Sequence, residues 1–429
     1  MKPAPGTLVH WGLVWGLVGH KLAAMHTFGS ARVGLLGAFA LLLASGCGSD
    51  SSDSAEDATF CVRPKNANHE DAIAAYEHWK ETLLTSEGAG GFLRVRRPNS
   101  KGAVVNSTVS EGIAYGMLLA VYMDDQETFD ALFQYSQLHL DANGLMHWYI
   151  GPDGEVLDFG GATDSDEDIA FALVQADVKW GGSGSLPTTY AEAARKQIDL
   201  VYQHEVHHGN RKDLLPGDGW GATNVRNPSY FAPAFYRTFA EYTDNPGWLE
   251  VVTSSYDIIE ASLSEANGNA DNGLVPAWCA DTGAAVSVNG VSHFQFDSCR
   301  MPFRIGQDYC WHGEPRAKSY LQKITGFYED LGLENLIDGF DLDGTPRPEF
   351  SVDGSRAAAF VGPAAVGATY SSAHSDFAEA AYEDLITPGA LIVGDAAYEN
   401  EGSIYYNTSW RVLSLLMLDG TYRDLTLRK

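Results

Sequence analysis

Apolar residues recur three and four positions apart along most of the chain, as Ile73, Tyr76, Trp79 and Leu83 illustrate. This spacing places apolar side chains on one face of an α-helix. The same pattern predicts helices over residues 69–86, 110–123, 126–139, 166–180, 189–207, 230–243, 247–265, 314–331, 374–385 and 403–418. Apolar and polar residues rarely alternate as they do in strands, so the pattern predicts an all-α fold.

Long segments rich in Gly, Pro, Asn, Asp and aromatic residues separate the predicted helices, and residues 215–228 form one of them. Loops of this length in a compact domain are usually functional. Between residues 61 and 429 no segment has the composition of a linker, and no simple repeat is visible. The sequence therefore predicts one domain of helical hairpins arranged in a ring, with long loops that build a groove at one end.

The first 47 residues have the features of a targeting segment. Its apolar run Val33–Ala44 is too short to span a bilayer and has the length of a signal-peptide core. The following Ser45–Cys47 resembles the lipobox of bacterial lipoproteins, in which the Cys is lipidated. We therefore predict a signal peptide over residues 1–47, with Cys47 as the lipidation site and Met25 as an alternative start. An ordinary secretory signal in which Cys47 has no role is the alternative.

Residues 48–62 are small, polar and acidic, which is the composition of a flexible linker, and we predict a folded domain over residues 63–429. The protein is expected to be exported, either lipid-anchored in a bacterial membrane or at the cell surface, or secreted. An oxidising compartment allows disulfides. Four cysteines of the domain region permit three connectivities, among which the sequence does not select: Cys61, Cys279, Cys299 and Cys310.

Charge and composition limit the classes of molecule that the protein is expected to bind. The net charge of −28 opposes binding to phosphate backbones, so we expect no nucleic-acid partner. A hydrophobic content of 45% over 429 residues supports a sizeable core and excludes a disordered protein. No Cys–His spacing typical of a metal site is present, so we expect no metal and no cofactor. A neutral polysaccharide fits this charge, and we expect a monomer.

Two acids lie at the edges of apolar helical patterns, where a carboxyl group can point into a cleft, and a third lies in an aromatic-rich run of low charge. They are Glu111 in the run Ser110–Met117, Asp164 in the run Ala162–Ala170 and Asp297 in the run Phe296–Arg304. Ser110 is the predicted N-cap of a helix that begins at Glu111. Glycoside hydrolysis needs one carboxylic acid that protonates the leaving oxygen and one carboxylate that attacks the sugar or activates water.

A general acid at a helix N-terminus must overcome the helix dipole, which favours the ionised form of Glu111. We expect burial and the neighbouring Asp164 to raise its pKa. Each acid also has an ordinary structural explanation. Glu111 fits an exposed acid in a first helical turn, Asp164 and the two acids that follow fit a solvated capping turn, and Asp297 fits a salt bridge with Arg300.

These runs together resemble family 8 of the glycoside hydrolases. Three further runs match the family in the same order: Asn227–Pro233, Gly273–Trp278 and Tyr405–Gly420. The resemblance covers roughly residues 65–425. It implies an (α/α)6 barrel and an inverting mechanism on β-1,4-linked glycans without a cofactor.

Carried over residue by residue, the resemblance implies that Glu111 is the general acid and Asp297 the base that activates water. Asp164 would hold the sugar at the cleavage point in a distorted ring shape, and Arg300 would orient Asp297. The implied substrate-binding side chains are Trp148, Trp220, Tyr230, Arg300, Phe296 and Tyr115.

The chain departs from the family pattern at three positions. Ser165 replaces the usual Ala or Gly, Phe296 stands where a Tyr is frequent, and Ala277 stands where an Asp is common. The second departure removes a hydroxyl near the base, and the third puts one subsite contact in doubt. None of them removes a carboxylate of the predicted site.

We expect an endo-β-1,4-glucanase acting on a substrate such as cellulose, with chitosan second and xylan third. A non-catalytic glycan-binding lipoprotein on the same scaffold would have lost Glu111 or Asp297, and both are present. An unrelated helical toroid such as an epimerase would need a central His, whereas the thirteen His residues fall outside the motif runs.

Overall fold

A computed structural model describes residues 59–98, 103–220, 223–351, 355–391 and 404–427. The predicted signal peptide with Cys47, and residues 48–58 of the predicted linker, lie outside the described residues. Twelve α-helices fall within the described ranges: α1 (His69–Leu83), α2 (Ser110–Tyr122), α3 (Gln126–Ser136), α4 (Thr163–Lys179), α5 (Tyr190–His204), α6 (Pro233–Thr243), α7 (Gly247–Ser262), α8 (Met301–His312), α9 (Pro315–Leu331), α10 (Ala358–Ala368), α11 (Ser375–Ile386) and α12 (Ile404–Asp419).

The even-numbered helices form an inner ring. Each contacts the next even-numbered helix, and α12 closes the ring on α2. The odd-numbered helices form an outer ring, and each packs on an even-numbered neighbour. Burial explains this division, since nearly every residue of α2, α4 and α10 is buried, whereas α5 and α9 bury one face. The fold is an (α/α)6 barrel, as predicted.

Two inner helices were absent from the predicted set. α8 begins with Met301-Pro302 and α10 contains Pro363, which weakens a helical signal. α10 is also apolar and buried on all sides, so its sequence has no helical period to detect. α4 begins at Thr163, three residues before the predicted start, and this extension places Asp164 inside the helix.

The predicted N-cap at Ser110 is wrong. The N-cap is Val109, and Ser110 is the first residue of α2. The backbone N–H of Ser110 donates to the Trp148 carbonyl at 3.0 Å, and its hydroxyl lies 2.6 Å from the Ser165 hydroxyl. The Ser110 side chain therefore joins α2 to α4 instead of closing its own helix.

Nine strands of two or three residues lie in the long connections of the described ranges. They are β1 (Leu84–Thr85), β2 (Arg94–Val95), β3 (Thr108–Val109), β4 (Tyr149–Ile150), β5 (Val156–Asp158), β6 (Val206–His208), β7 (Lys212–Leu214), β8 (Val225–Arg226) and β9 (Cys279–Ala280). They pair antiparallel as β1–β2, β3–β4–β5, β6–β7 and β8–β9. Because β3 leads directly into α2, the three-stranded sheet lies at the N-terminal end of that helix.

Among the described residues one disulfide joins Cys61 to Cys310, so the four cysteines are not fully paired as any of the three connectivities would require. Cys279 and Cys299 are buried free thiols. The N–H of Phe60 donates to the Cys310 carbonyl at 3.0 Å. Contacts with the domain therefore begin inside the range 48–62 that the sequence predicts as a linker. In the part of the chain that the structure describes, no helix is long and apolar enough to cross a membrane.

Candidate active site

The N-terminal ends of several inner helices bring the predicted acids together. Glu111 is the second residue of α2, and Asp164 is the second residue of α4. Asp297 precedes a short 3-10 helix, Ser298–Arg300, that leads into α8. Helix N-termini carry partial positive charge, so this end of the barrel favours anionic side chains.

Arg300 lies at the centre of the cluster and is only 1% exposed. Its Nη1 donates to Glu111 Oε1 at 2.7 Å and to Asp164 Oδ2 at 2.6 Å. Its Nη2 lies 3.4 Å from Asp297 Oδ1. One guanidinium therefore faces three carboxyl groups, and the charges balance best when at least one of the acids is protonated.

Glu111 receives two tyrosine hydroxyls in addition to Arg300. Tyr115 donates to Oε1 at 2.9 Å, and Tyr405 donates to Oε2 at 2.7 Å. Burial raises the pKa of Glu111 to about 7, and the nearby Asp164 acts in the same direction, while Arg300 and both tyrosines oppose it. A substantial protonated fraction at neutral pH suits a general acid. The expectation that burial and Asp164 raise the pKa of Glu111 agrees with this direction.

Asp297 has different partners, all of them nitrogen donors. The Gln295 amide nitrogen contacts Oδ2, and the Asn227 amide nitrogen lies 3.4 Å from Oδ1. Burial raises the pKa of Asp297 above its usual range, while Arg300 and both amides oppose this change. N–H donors stabilise the ionised form of a carboxyl group.

Asp164 is the only acid of its run that reaches Arg300. Arg304 binds both oxygens of Asp168 at 2.6 and 2.7 Å, and Gln197 donates to Asp166 at 3.1 Å. All three Asp side chains are buried, so the alternative of a solvated capping turn is wrong. Arg304 therefore serves the packing of α8 on α4 and does not contact Asp297.

The aromatic candidates differ in their surroundings. Trp148 is half-buried, and its ring stacks on Tyr149 with centroids 5.1 Å apart. The guanidinium carbon of Arg300 lies over the ring of Tyr230, 5.1 Å from the centroid of that ring. Phe296 is half-buried and packs edge-on against Phe360 at 5.2 Å. The predicted Trp220 ends a short 3-10 helix, Asp218–Trp220.

Tyr115 and Arg300 were predicted as substrate-binding side chains, and the structure places them differently. Both are buried behind the carboxyl groups, and their polar atoms are directed at Glu111. Their position fits the support of the acids and leaves no open surface for a sugar.

Sequence reasoning did not assign three contacts to the site: Tyr405 on Glu111, and Gln295 and Asn227 on Asp297. Tyr405 and Asn227 begin runs that match the family, which is the signal that could have indicated them. Gln295 belongs to no matched run. Among the described residues, no group of three or more His, Cys, Asp or Glu side chains is arranged to hold a metal ion.

Comparisons with known proteins identify the family of the chain. The model of the glycosyl hydrolases family 8 matches residues 57–420. Endoglucanase A of Acetivibrio thermocellus is 39% identical over 354 residues, which cover 81% of this chain and 69% of that protein. Endoglucanase 2 of Ruminiclostridium josui is 37% identical over 353 residues, which cover 82% of this chain and 71% of that protein.

A solved structure has the same fold. The apo structure of a β-1,3-1,4-glucanase from Paenibacillus sp. X4 matches with a TM-score of 0.72 and 27% identity, covering 84% of this chain and 95% of that one. The resemblance drawn from the sequence motifs is thus confirmed over nearly the whole folded region. The chain belongs to family 8 of the glycosyl hydrolases and is a glycoside hydrolase.

Proposed function

We propose that the protein is an inverting endo-β-1,4-glucanase in which Glu111 is the general acid and Asp297 the general base. The observation that carries this assignment is the difference between their hydrogen-bond partners. Hydroxyls of Tyr115 and Tyr405 can either donate to Glu111 or accept from it, so they tolerate its protonated form. The Asp297 carboxylate contacts nitrogen donors, which favour its ionised form.

The reaction follows from these protonation states. Glu111 gives its proton to the glycosidic oxygen as the bond from that oxygen to the anomeric carbon breaks. Asp297 takes a proton from a water that attacks the anomeric carbon from the opposite face, which inverts the configuration. Arg300 is 2.7 Å from Glu111 and stabilises the negative charge that appears there after proton transfer.

Asp164 is proposed to hold the sugar at the cleavage point in a distorted ring shape. Its carboxyl group lies beside the acid, because Arg300 binds it at 2.6 Å on the same nitrogen that reaches Glu111. Hydrogen bonds to a sugar hydroxyl that strengthen in the transition state supply part of the rate in such enzymes.

The names of the relatives support a β-1,4-glucan as the substrate, since two of them are endoglucanases. The half-buried Trp148 and Tyr230 offer aromatic faces at the cluster on which sugar rings can stack. Chitosan is the second candidate substrate, because the net charge of −28 attracts a cationic polymer. Reducing-sugar release from carboxymethyl cellulose, lichenan, chitosan and xylan separates these candidates.

The mechanism is tested with two substitutions. Glu111→Gln and Asp297→Asn should each lower turnover at least ~100-fold while leaving glycan binding intact, since positioned acid and base groups contribute that much. Glu127→Gln is a matched control, because Glu127 is also the second residue of a helix, α3, but is exposed. Proton NMR of early products should show an inverted anomeric configuration, and retained configuration would refute the mechanism.

We further propose that the protein is exported and anchored through lipidated Cys47. The apolar run before Cys47 supports export. The disulfide between Cys61 and Cys310 supports it independently, since such bonds persist in oxidising compartments.

A further inference from the structure

A closed set of hydrogen bonds fixes the orientation of the Asn227 amide beside Asp297. The amide oxygen of Asn227 accepts from the N–H of Ser229 at 3.1 Å and from its hydroxyl at 2.7 Å. Because an amide oxygen only accepts, the nitrogen must be the atom that faces Asp297. The Ser229 hydroxyl in turn accepts from Arg300 Nη2 at 2.8 Å, so the ring of contacts returns to the guanidinium.

Gln295 approaches the other oxygen of Asp297. Its side chain is buried, and its amide nitrogen contacts Oδ2. The backbone carbonyl of Gln295 accepts from the N–H of Cys299 at 2.9 Å, which fixes this residue against the short 3-10 helix. Each carboxylate oxygen of Asp297 thus has its own neutral amide donor.

We infer that Gln295 and Asn227 are positioning residues that hold the Asp297 carboxylate in its ionised form and fix its orientation. This inference rests on the proposed role of Asp297 as the base. If the Asp297 carboxyl group were protonated, its hydrogen would face the hydrogen of an amide N–H, so protonation costs at least one hydrogen bond. Removing an amide donor therefore makes protonation easier.

Arg300 alone does not keep the Asp297 carboxyl group ionised. Its guanidinium is shared among three carboxyl groups, and its contacts to Glu111 and Asp164 are shorter than the 3.4 Å to Asp297. The other groups that face Asp297 are the carboxylate of Asp164, which opposes its ionisation, and the neutral side chains of Tyr230 and Cys299. The two amides are the remaining groups that favour the ionised form.

Gln295→Met tests the inference, because Met keeps the approximate length and volume but has no N–H. Activity falls as pH drops through the pKa of the base, so losing a donor should move the acidic limb of the kcat/KM profile upward by roughly 1–2 pH units. The maximal kcat/KM should also fall, because Gln295 fixes the orientation of the base, so the diagnostic readout is the position of the acidic limb and not the size of the loss. Gln307→Met is the matched control, since Gln307 is a buried glutamine of α8 and donates to no atom of the acid cluster.

An unmoved acidic limb in Gln295→Met, with activity lowered equally at every pH, overturns the inference. If this variant does not fold, Gln295→Glu serves instead: it is nearly isosteric, its negative charge should move the limb further upward, and an unmoved limb again refutes the inference. Failure of the proposed function is a different result, since Asp297→Asn would then retain turnover. An inactive Asp297→Asn with an unmoved limb in the Gln295 variants would refute the positioning role alone.

Discussion

Tyr405→Phe gives the sharpest test of how the site controls its acid. Glu111 must be protonated to act, so activity should fall as pH rises through its pKa of about 7. Tyr405 donates to Glu111 Oε2 at 2.7 Å and thereby lowers that pKa. Loss of the hydroxyl should raise the pKa and move the alkaline limb of activity to higher pH.

The structure sets the size of the shift. A hydrogen bond to a charged group contributes about 1.5–3 kcal/mol, and about 1.4 kcal/mol corresponds to one pKa unit. Glu111 keeps Arg300 at 2.7 Å and Tyr115 at 2.9 Å, so we expect the lower end of this range. The alkaline limb should move upward by about one pH unit.

The assay is kcat/KM on a soluble β-1,4-glucan between about pH 5 and 10, which covers roughly two units below and three units above neutrality. Phe fills the space of the Tyr405 ring, which packs at 6.0 Å from Tyr406, so folding should be preserved. Tyr320→Phe is the matched control, because its buried hydroxyl has no hydrogen-bond partner within the described residues. It should leave both limbs of the profile in place.

An alkaline limb that stays in place or moves to lower pH in Tyr405→Phe would refute this reasoning. It would mean that another group sets the limb, or that the Tyr405 hydroxyl accepts from protonated Glu111 and so stabilises the acid form. A uniform loss of activity across the whole pH range would indicate a structural role for the hydroxyl instead.

Two further predictions concern stability and location. Arg304→Met leaves the buried Asp168 without its bidentate partner. Urea denaturation should show that this variant lowers the free energy of unfolding by about 3–5 kcal/mol. Combining it with Asp168→Leu should recover part of the lost stability. Cys47→Ser in the full-length protein should move it from the membrane fraction to the soluble fraction of the expressing bacterium, and an unchanged distribution would contradict the lipid anchor.

All six outer helices of the described chain were predicted, and so were four of the six inner helices, α2, α4, α6 and α12. α1, α5, α7 and α9 each bury one face, so the apolar spacing of their sequences indicates both their existence and their approximate bounds. α10 has no polar face, and Pro363 interrupts it, so local pattern and propensity both fail there. Its helical conformation is stabilised by packing against the surrounding helices. The sequence of α10 alone gives no information about that packing.

Glu111 and Asp164 were predictable because acids at the start of apolar helical patterns are chemically unusual, and Asp297 because its run matches the family. Their mutual arrangement was not, since Arg300 and Glu111 are separated by 189 residues. The same limit applies to Arg304, whose partner Asp168 lies 136 residues away and not in its own motif. The family resemblance implied a sugar contact for Tyr115, whereas its position on an inner helix buries it.

The surroundings of the two carboxyl groups explain why one can act as an acid and the other as a base. Glu111 and Asp297 are both largely buried near helix N-termini, and both contact the same guanidinium. Burial is similar for the two acids, and Arg300, which lies 2.7 Å from Glu111 but 3.4 Å from Asp297, would by itself favour ionisation of Glu111 instead of Asp297. The remaining partners act against this preference: a tyrosine hydroxyl lowers the pKa of Glu111 when it donates but can also turn to accept from the protonated acid, whereas an amide N–H of Gln295 or Asn227 only donates and so favours ionised Asp297. Exchanging a hydroxyl for an amide beside either carboxyl group should thus change its protonation state without moving the backbone, which is how environments separate an acid from a base of the same chemical type.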